Sequence, residues 1–258
     1  MENYTLITGG TSGLGKELAL LFGKDGNNLL LVSSNKERLE NTKKELEEKL
    51  DVDIKILAVD LSDPSKFHLV TDYTNSNDIF VKNLVNCAGF GDCTDFVDMD
   101  IEKQIKMTEL NCNALLYLTH EYVKPMLKEN CGQILNISSI AAFMPGPYMV
   151  TYHATKGYVL LLSEGISREL KGTNVKLTTI CPGPFDSNFV KIAHNDHAFS
   201  KIKPITSEKV AKISYKAFKK KKYIKVIGGG NKLLVFALRF FPRKFVTNIS
   251  AKTMKKGA

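Results

Sequence analysis

The chain has 258 residues, 43% of them hydrophobic, enough to bury a sizeable core, and α/β chains of this length commonly form one domain. Its five cysteines, Cys87, Cys93, Cys112, Cys131 and Cys181, are odd in number and scattered, which excludes a disulfide framework or a paired zinc motif and points to reduced thiols in a cytoplasmic protein. The net charge of +9 is unevenly placed, because residues 201–258 hold 17 Lys and Arg against one acid, Glu208, and the rest of the chain is acidic.

The first residues, Met1-Glu2-Asn3-Tyr4, lack the basic and apolar regions of a signal peptide. The least charged long stretch, residues 131–155, is broken by Gly, Pro, Asn and Ser, so no membrane span is expected. Residues 5–8 form a short β-branched and apolar run, followed at once by Gly9, Gly10, Thr11, Ser12, Gly13, Leu14 and Gly15 and then by helical periodicity over 14–24. Strand, glycine turn and helix in that order suit a phosphate site. Glycines let the backbone approach a pyrophosphate, and a helix N-terminus offers unpaired N–H groups. The spacing is G-x-x-x-G-x-G rather than G-x-G-x-x-G, so a glycine turn without a ligand stays open at this point.

A second strand over 29–32 ends at Ser33, Ser34 and Asn35. An acid there would grip the ribose of NAD, and an arginine would accept the 2′-phosphate of NADP. Ser34 is neither. With Asn35, Lys36 and Arg38 following, the corner leans to NADP over NAD, unless Lys36 and Arg38 only open a solvated helix. A third strand over 54–59 closes on Asp60 and Leu61, where the carboxylate either accepts from an adenine amino group or caps the helix begun by Ser62-Asp63-Pro64. A fourth over 83–86 runs into Cys87-Ala88-Gly89, small enough for a ligand to lie on the backbone. Residues 102–128 read as one helix, with Asn111, a mediocre helix former, in its middle.

Strands over 132–137, 175–180 and 223–227 bring the total to seven. Strands alternating with helices predict an α/β, doubly wound, three-layer fold with a seven-stranded parallel sheet, whose ligands lie at the strands' C-terminal ends. The glycine turn, Ser34, Asp60, Asn86, Ser139 and Pro182-Gly183 all follow strands, so one sheet edge collects them.

Tyr152 and Lys156 stand four apart at the start of a helix expected over 152–171, so their side chains leave one face. An ammonium ~4 Å from a phenol at an effective dielectric of ~20 is worth roughly 4 kcal/mol, about three pK units. Lys156 is therefore expected to draw Tyr152 down toward neutrality. Ser139 would hold a substrate oxygen beside that phenol, giving a site that protonates a carbonyl or deprotonates an alcohol.

Taken together, Thr8-Gly9-x-x-x-Gly13-x-Gly15, Asp60-Leu61, Asn86-Cys87-Ala88-Gly89, Asn111, Ser139, Tyr152-x-x-x-Lys156 and Pro182-Gly183 resemble the short-chain dehydrogenase/reductase family, with its Rossmann-like single domain. The resemblance implies a pyrophosphate held by Gly9, Thr11, Ser12, Gly13, Leu14 and Gly15, and an adenine bordered by Asp60 and Leu61. It places the nicotinamide ribose against Asn86, Ala88, Gly89, Tyr152 and Lys156, with Pro182, Gly183, Phe185 and Ser187 near the nicotinamide. Asn111, Ser139, Tyr152 and Lys156 resemble the catalytic tetrad, Asn111 holding a water in a relay to Lys156. Homodimers or homotetramers are implied as well. Three departures are Cys87 in place of the usual asparagine, Ser187 where the family often has threonine, which keeps a hydroxyl for the carboxamide, and Ser34 where many NADP-dependent relatives carry arginine.

Phe143, Phe185, Phe189 and Phe199 favour a small hydrophobic carbonyl or alcohol substrate, with residues 184–205 as a substrate loop. The alternatives are a 3-oxoacyl carrier-protein reductase, whose acidic carrier would meet the basic tail, and a non-catalytic nucleotide-binding protein. Residues 228–258 form a basic, apolar extension whose segment 231–241 covers the substrate mouth, rests peripherally on an anionic membrane surface or contacts another subunit. No nucleic-acid recognition element accompanies the lysines, and no metal site is expected. His194 and His197 lack a third ligand nearby, and His153 points away from Tyr152's face.

Overall fold

A computed structural model of the protein describes residues 1–186 and 205–254. The chain runs β1 (Glu2–Thr8), α1 (Gly13–Lys24), β2 (Asn28–Ser33), α2 (Lys36–Glu47), β3 (Ile54–Ala58), α3 (His68–Ser76) and β4 (Ile79–Asn86). It continues through α4 (Ile101–Thr108), α5 (Ala114–Lys128), β5 (Gly132–Ile137), α6 (Val150–Glu169) and β6 (Val175–Cys181). Beyond these lie the short β7 (Phe185–Asp186) and β8 (Ile205–Thr206), then α7 (Ser207–Lys219), β9 (Ile224–Val226), α8 (Gly229–Ala237) and α9 (Arg243–Met254).

Seven strands pair in parallel, as the alternating pattern predicts, in the order β3-β2-β1-β4-β5-β6-β9, and β7 and β8 pair separately. The order reverses between β1 and β4, which opens a crevice at their C-terminal ends. Alternation along each strand feeds two cores. Leu6, Leu30 and Val32 face one side, against α3 and α5, while Ile7, Leu29 and Leu31 face the other, against α1, α2 and α7. On α1, Leu14, Leu18 and Phe22 recur every fourth residue and are all buried. Each such side chain contributes roughly 1.5–3 kcal/mol. Phe22 meets Tyr215 and Phe218 of α7 edge-on at 4.8 and 5.1 Å, which ties the N-terminal helix to the far end of the chain.

Three elements differ from expectation. β4 begins at Ile79, four residues early, because Ile79 and Val81 are buried while Lys82 faces out. The helix expected over 102–128 is two helices joined by a π-helical turn, Glu109–Asn113, centred on Asn111. The apolar helix expected over 231–241 is α8, a 3₁₀ turn Leu238–Phe240, and α9 beyond Pro242.

Candidate active site

At the C-terminal end of β1, Gly9 takes φ +69° and Gly13 φ +48°, a left-handed geometry that L side chains rarely adopt. Gly15 is needed for space rather than angle, since a Cβ there would lie 2.2 Å from the Gly9 carbonyl oxygen. Thr8 Oγ1 accepts from the backbone N–H groups of Cys87 and Ala88, both at 3.1 Å, and so ties this turn to the end of β4. Ser12 stands at the N-cap of α1 without a side-chain capping bond, and the first turn carries no acid. Such an end offers its N–H groups and positive dipole to an anion, which fits a pyrophosphate.

Ser34 and Asn35 are exposed after β2, but the Asn35 carboxamide caps α2 by accepting from Arg38 N at 2.8 Å. Its first duty is therefore to the helix. Asp60 Oδ1 accepts from Ser62 N and Oγ at 2.9 and 2.7 Å, a local turn, while the capping role goes to Asp63 ahead of Pro64. Leu61 is buried beside it. Asn86 donates to Thr119 Oγ1 and Asn136 Oδ1, and its own Oδ1 is a buried acceptor with no hydrogen-bond partner among the described residues. Asn86, Thr8, Leu61 and Ala88 line one small cavity at the crevice. A dinucleotide's ribose and base edges match this set of small walls and open polar atoms.

Ser139 follows β5, with Oγ accepting from Ala141 N at 3.1 Å and reaching the Pro182 carbonyl at 3.5 Å. It also stands near enough to the Tyr152 phenol to favour the ionised form of that group. Lys156 Nζ lies 5.8 Å from the centroid of the Tyr152 ring and donates to the Ile137 carbonyl at 3.0 Å. Asn111 Nδ2 donates to Phe90 O and Thr155 Oγ1, and its Oδ1 accepts from Phe90 N. A Cβ on Gly89 would sit 2.8 Å from Asn111 Oδ1 and 3.5 Å from Lys156 Nζ, so Gly89 is small because those two groups crowd it. All four candidate catalytic residues thus meet at one place. Both Nδ2 hydrogens of Asn111 are used in these bonds, while Oδ1 keeps one lone pair.

The expected electrostatics are reversed in one respect. Burial pushes the Tyr152 phenol up to about 12, with the Ser139 hydroxyl pulling the other way, and burial holds Lys156 below its ordinary value. Enclosure penalises both charges, while Lys156 Nζ donates to a carbonyl and lies within electrostatic reach of the thiols of Cys87, Cys112 and Cys181.

Several supporting residues carried no sequence signal beyond their polarity. Buried Gln104 donates to the Phe96 and Met99 carbonyls and accepts from Thr151, next to Tyr152. Lys103 pairs with the buried Asp92 in the loop after Gly89. His153, buried with its pKa lowered by desolvation, bonds the Met144 carbonyl and packs on Gly146, a structural role consistent with its place off the Tyr152 face. Asn231 of α8 bonds the Ile227 carbonyl and closes on Gly183, and Phe185 packs into the α1 side of the core. Ser187, Phe189, His194, His197 and Phe199 lie outside the described residues. No group of three or more potential metal ligands occurs among the described residues.

A glycine turn and an enclosed Ser-Tyr-Lys cluster at the switch point of a doubly wound sheet belong to the class of dinucleotide-dependent oxidoreductases. The model of the short chain dehydrogenase family matches residues 3–198. An uncharacterized oxidoreductase of Bacillus subtilis, YvrD, is 34% identical over 184 residues, covering 71% of this chain and 68% of its own. The chain belongs to the short chain dehydrogenase family. Its fold is shared with a short-chain dehydrogenase from Sphingobium yanoikuyae in complex with NADPH, at a TM-score of 0.83, 24% identity and coverage of 93% and 94% of the two chains. A 7β-hydroxysteroid dehydrogenase shares it at a TM-score of 0.86 and 22% identity, over 97% of this chain and 96% of the other.

Proposed function

We propose that the protein is an NAD(P)-dependent oxidoreductase that interconverts a carbonyl and an alcohol on a hydrophobic substrate, with Asn111, Ser139, Tyr152 and Lys156 as its working residues. The observation that carries this reading is the enclosure of Tyr152 beside Ser139 and Lys156, with the Lys156 ammonium 5.8 Å from its ring, at the same sheet edge as the glycine turn. When bound, the nicotinamide supplies or accepts the hydride at the substrate carbon. Ser139 holds the substrate oxygen, and Tyr152, kept protonated by burial, gives its proton to that oxygen in the reducing direction. Lys156, as an ammonium, stabilises the phenolate left behind, and a water held by Asn111 would pass a proton from solvent through Lys156 to restore the phenol.

NADP is favoured over NAD because Ser34 presents no carboxylate to a 2′-phosphate and Arg38 is exposed at the start of α2. A hydrophobic substrate is favoured because Cys93, Met149 and Tyr148 pack around Tyr152, and the 7β-hydroxysteroid dehydrogenase with the same fold acts on such a molecule. We read the chain as one domain that pairs through the exposed apolar residues Ile101, Ile105 and Leu161. Fluorescence titration with NADPH and NADH, followed by a screen of hydrophobic ketones, tests the function. Tighter NADPH binding with ketone turnover is expected, and binding of neither cofactor, or full turnover by Tyr152→Phe, refutes it.

A further inference from the structure

The segment after β9 exposes an apolar surface that the fold itself leaves uncovered. On α8 and the following 3₁₀ turn, Leu233, Phe236 and Phe240 form one stripe, 69%, 56% and 70% exposed. Phe241, Phe245 and Ile249 form a second stripe at four-residue spacing into α9. The rings pair within each stripe, Phe236 on Phe240 at 5.3 Å and Phe241 on Phe245 at 5.2 Å. Val235 and Val246, by contrast, are buried.

The charge around these stripes is of one sign. Lys232, Arg239, Arg243, Lys244 and Lys252 are exposed on the same two helices, Lys220, Lys221 and Lys222 stand exposed just before β9, and no acid follows Glu208 anywhere in the chain. A second copy of this chain would set cations against cations there. A monolayer of anionic headgroups over acyl chains complements both features, since aromatics enter the headgroup boundary while Lys and Arg meet phosphates. Neither helix is long enough to cross a bilayer, and no described helix is.

We propose that α8, its 3₁₀ turn and α9 dock the protein on an anionic lipid surface. The position has a consequence for the site. The N-terminal end of α8 closes on Gly183 through Asn231, and Gly183 follows the Pro182 carbonyl that Ser139 contacts. The docked face therefore adjoins the candidate site, and an apolar substrate dissolved in the bilayer has a short path to Tyr152. The docking itself does not depend on the catalytic reading.

The test is co-sedimentation of the full chain with phosphatidylcholine vesicles, with and without phosphatidylglycerol, at low and high salt. Two paired variants accompany it, Phe236→Ser with Phe240→Ser and Arg239→Glu with Arg243→Glu, checked for unchanged thermal unfolding and NADPH binding. Wild type is expected on the anionic vesicles at low salt, to leave them at high salt, and to prefer them over neutral ones by at least about tenfold. Each pair is expected to weaken binding by about tenfold or more while leaving the assembly state in ultracentrifugation unchanged. No binding to anionic vesicles at low salt, or binding by both pairs as tight as that of wild type, overturns the proposal. So does a wild-type assembly that either pair dissociates, which would assign the surface to a second copy.

Discussion

Replacing Lys156 by methionine should cost the enzyme its activity and cost the fold almost nothing. The ammonium makes one hydrogen bond, to the Ile137 carbonyl at 3.0 Å, and breaking a bond to a charged group loses about 1.5–3 kcal/mol. Against this, the side chain is buried, and an enclosed ammonium carries a desolvation penalty of several kcal/mol that methionine, of similar length and flexible, does not. The two effects nearly cancel, so Lys156→Met should lie within about 2 kcal/mol of wild type near pH 7, on the stable side. Turnover should fall by about 10² or more. The pH dependence separates this account from simple tolerance. Burial depresses the folded pKa of Lys156, so between that depressed pKa and the unfolded value of about 10.4 the unfolded chain binds more protons and wild-type stability rises with pH. One proton gives at most about 1.4 kcal/mol per pH unit, and Lys156→Met lacks that rise. Its advantage should therefore shrink as pH climbs. Tyr152, shifted the other way to about 12, lowers stability only as pH rises past about 10, outside this window. Urea unfolding of both proteins from about pH 7 to about pH 10 measures the difference directly. A difference that stays constant over that range, or a variant destabilised by more than about 3 kcal/mol throughout, refutes the reasoning.

Gly15→Ala places a carbon 2.2 Å from the Gly9 carbonyl, so the turn must shift; NADPH affinity should fall by about 10² in a fluorescence titration, with about 1–3 kcal/mol lost in unfolding. Tyr152→Phe should keep NADPH affinity within about threefold and lose about 10² to 10⁴ in turnover, and single-turnover kinetics will separate the two. Asn111→Ala removes three buried hydrogen bonds and should cost about 2–5 kcal/mol, visible as a lowered unfolding midpoint; an unshifted midpoint would show that the π-helical turn holds without them. Ser34→Asp should invert cofactor preference, weakening NADPH by repulsion of the 2′-phosphate while leaving or improving NADH, as read in paired titrations.

Most of the sheet was legible because its strands are apolar runs punctuated by glycine, asparagine or serine, as over residues 29–35 and 132–139, and their parallel pairing follows from their alternation with helices, while the order in which they pair does not. Asn111 was legible as an oddity, a poor helix former inside a helical stretch, and the odd residue turned out to mark the π-helical turn. What it bonds was not, because Phe90 and Thr155 reach it only through tertiary packing. The charge balance between Tyr152 and Lys156 failed for a similar reason. A four-residue spacing puts two side chains on one face, but it does not set the orientation of the ammonium or the depth of enclosure, and here desolvation outweighs attraction. Asp92, Gln104 and Thr151, which brace the loop after Gly89 against the start of α6, have no local pattern at all.

The buried thiols near Lys156 give the protein an internal clock. Burial pushes Cys181 up to about 12 and Cys112 up to about 11, and only a thiolate is alkylated readily, so near neutral pH these two are silent while the structure is closed. Each time the strand ends and the π-helical turn part, they meet solvent and a reagent can record the event. Their labelling rate counts how often the chamber around the lysine opens, and a ligand seated there should slow the count in proportion to how firmly it is held.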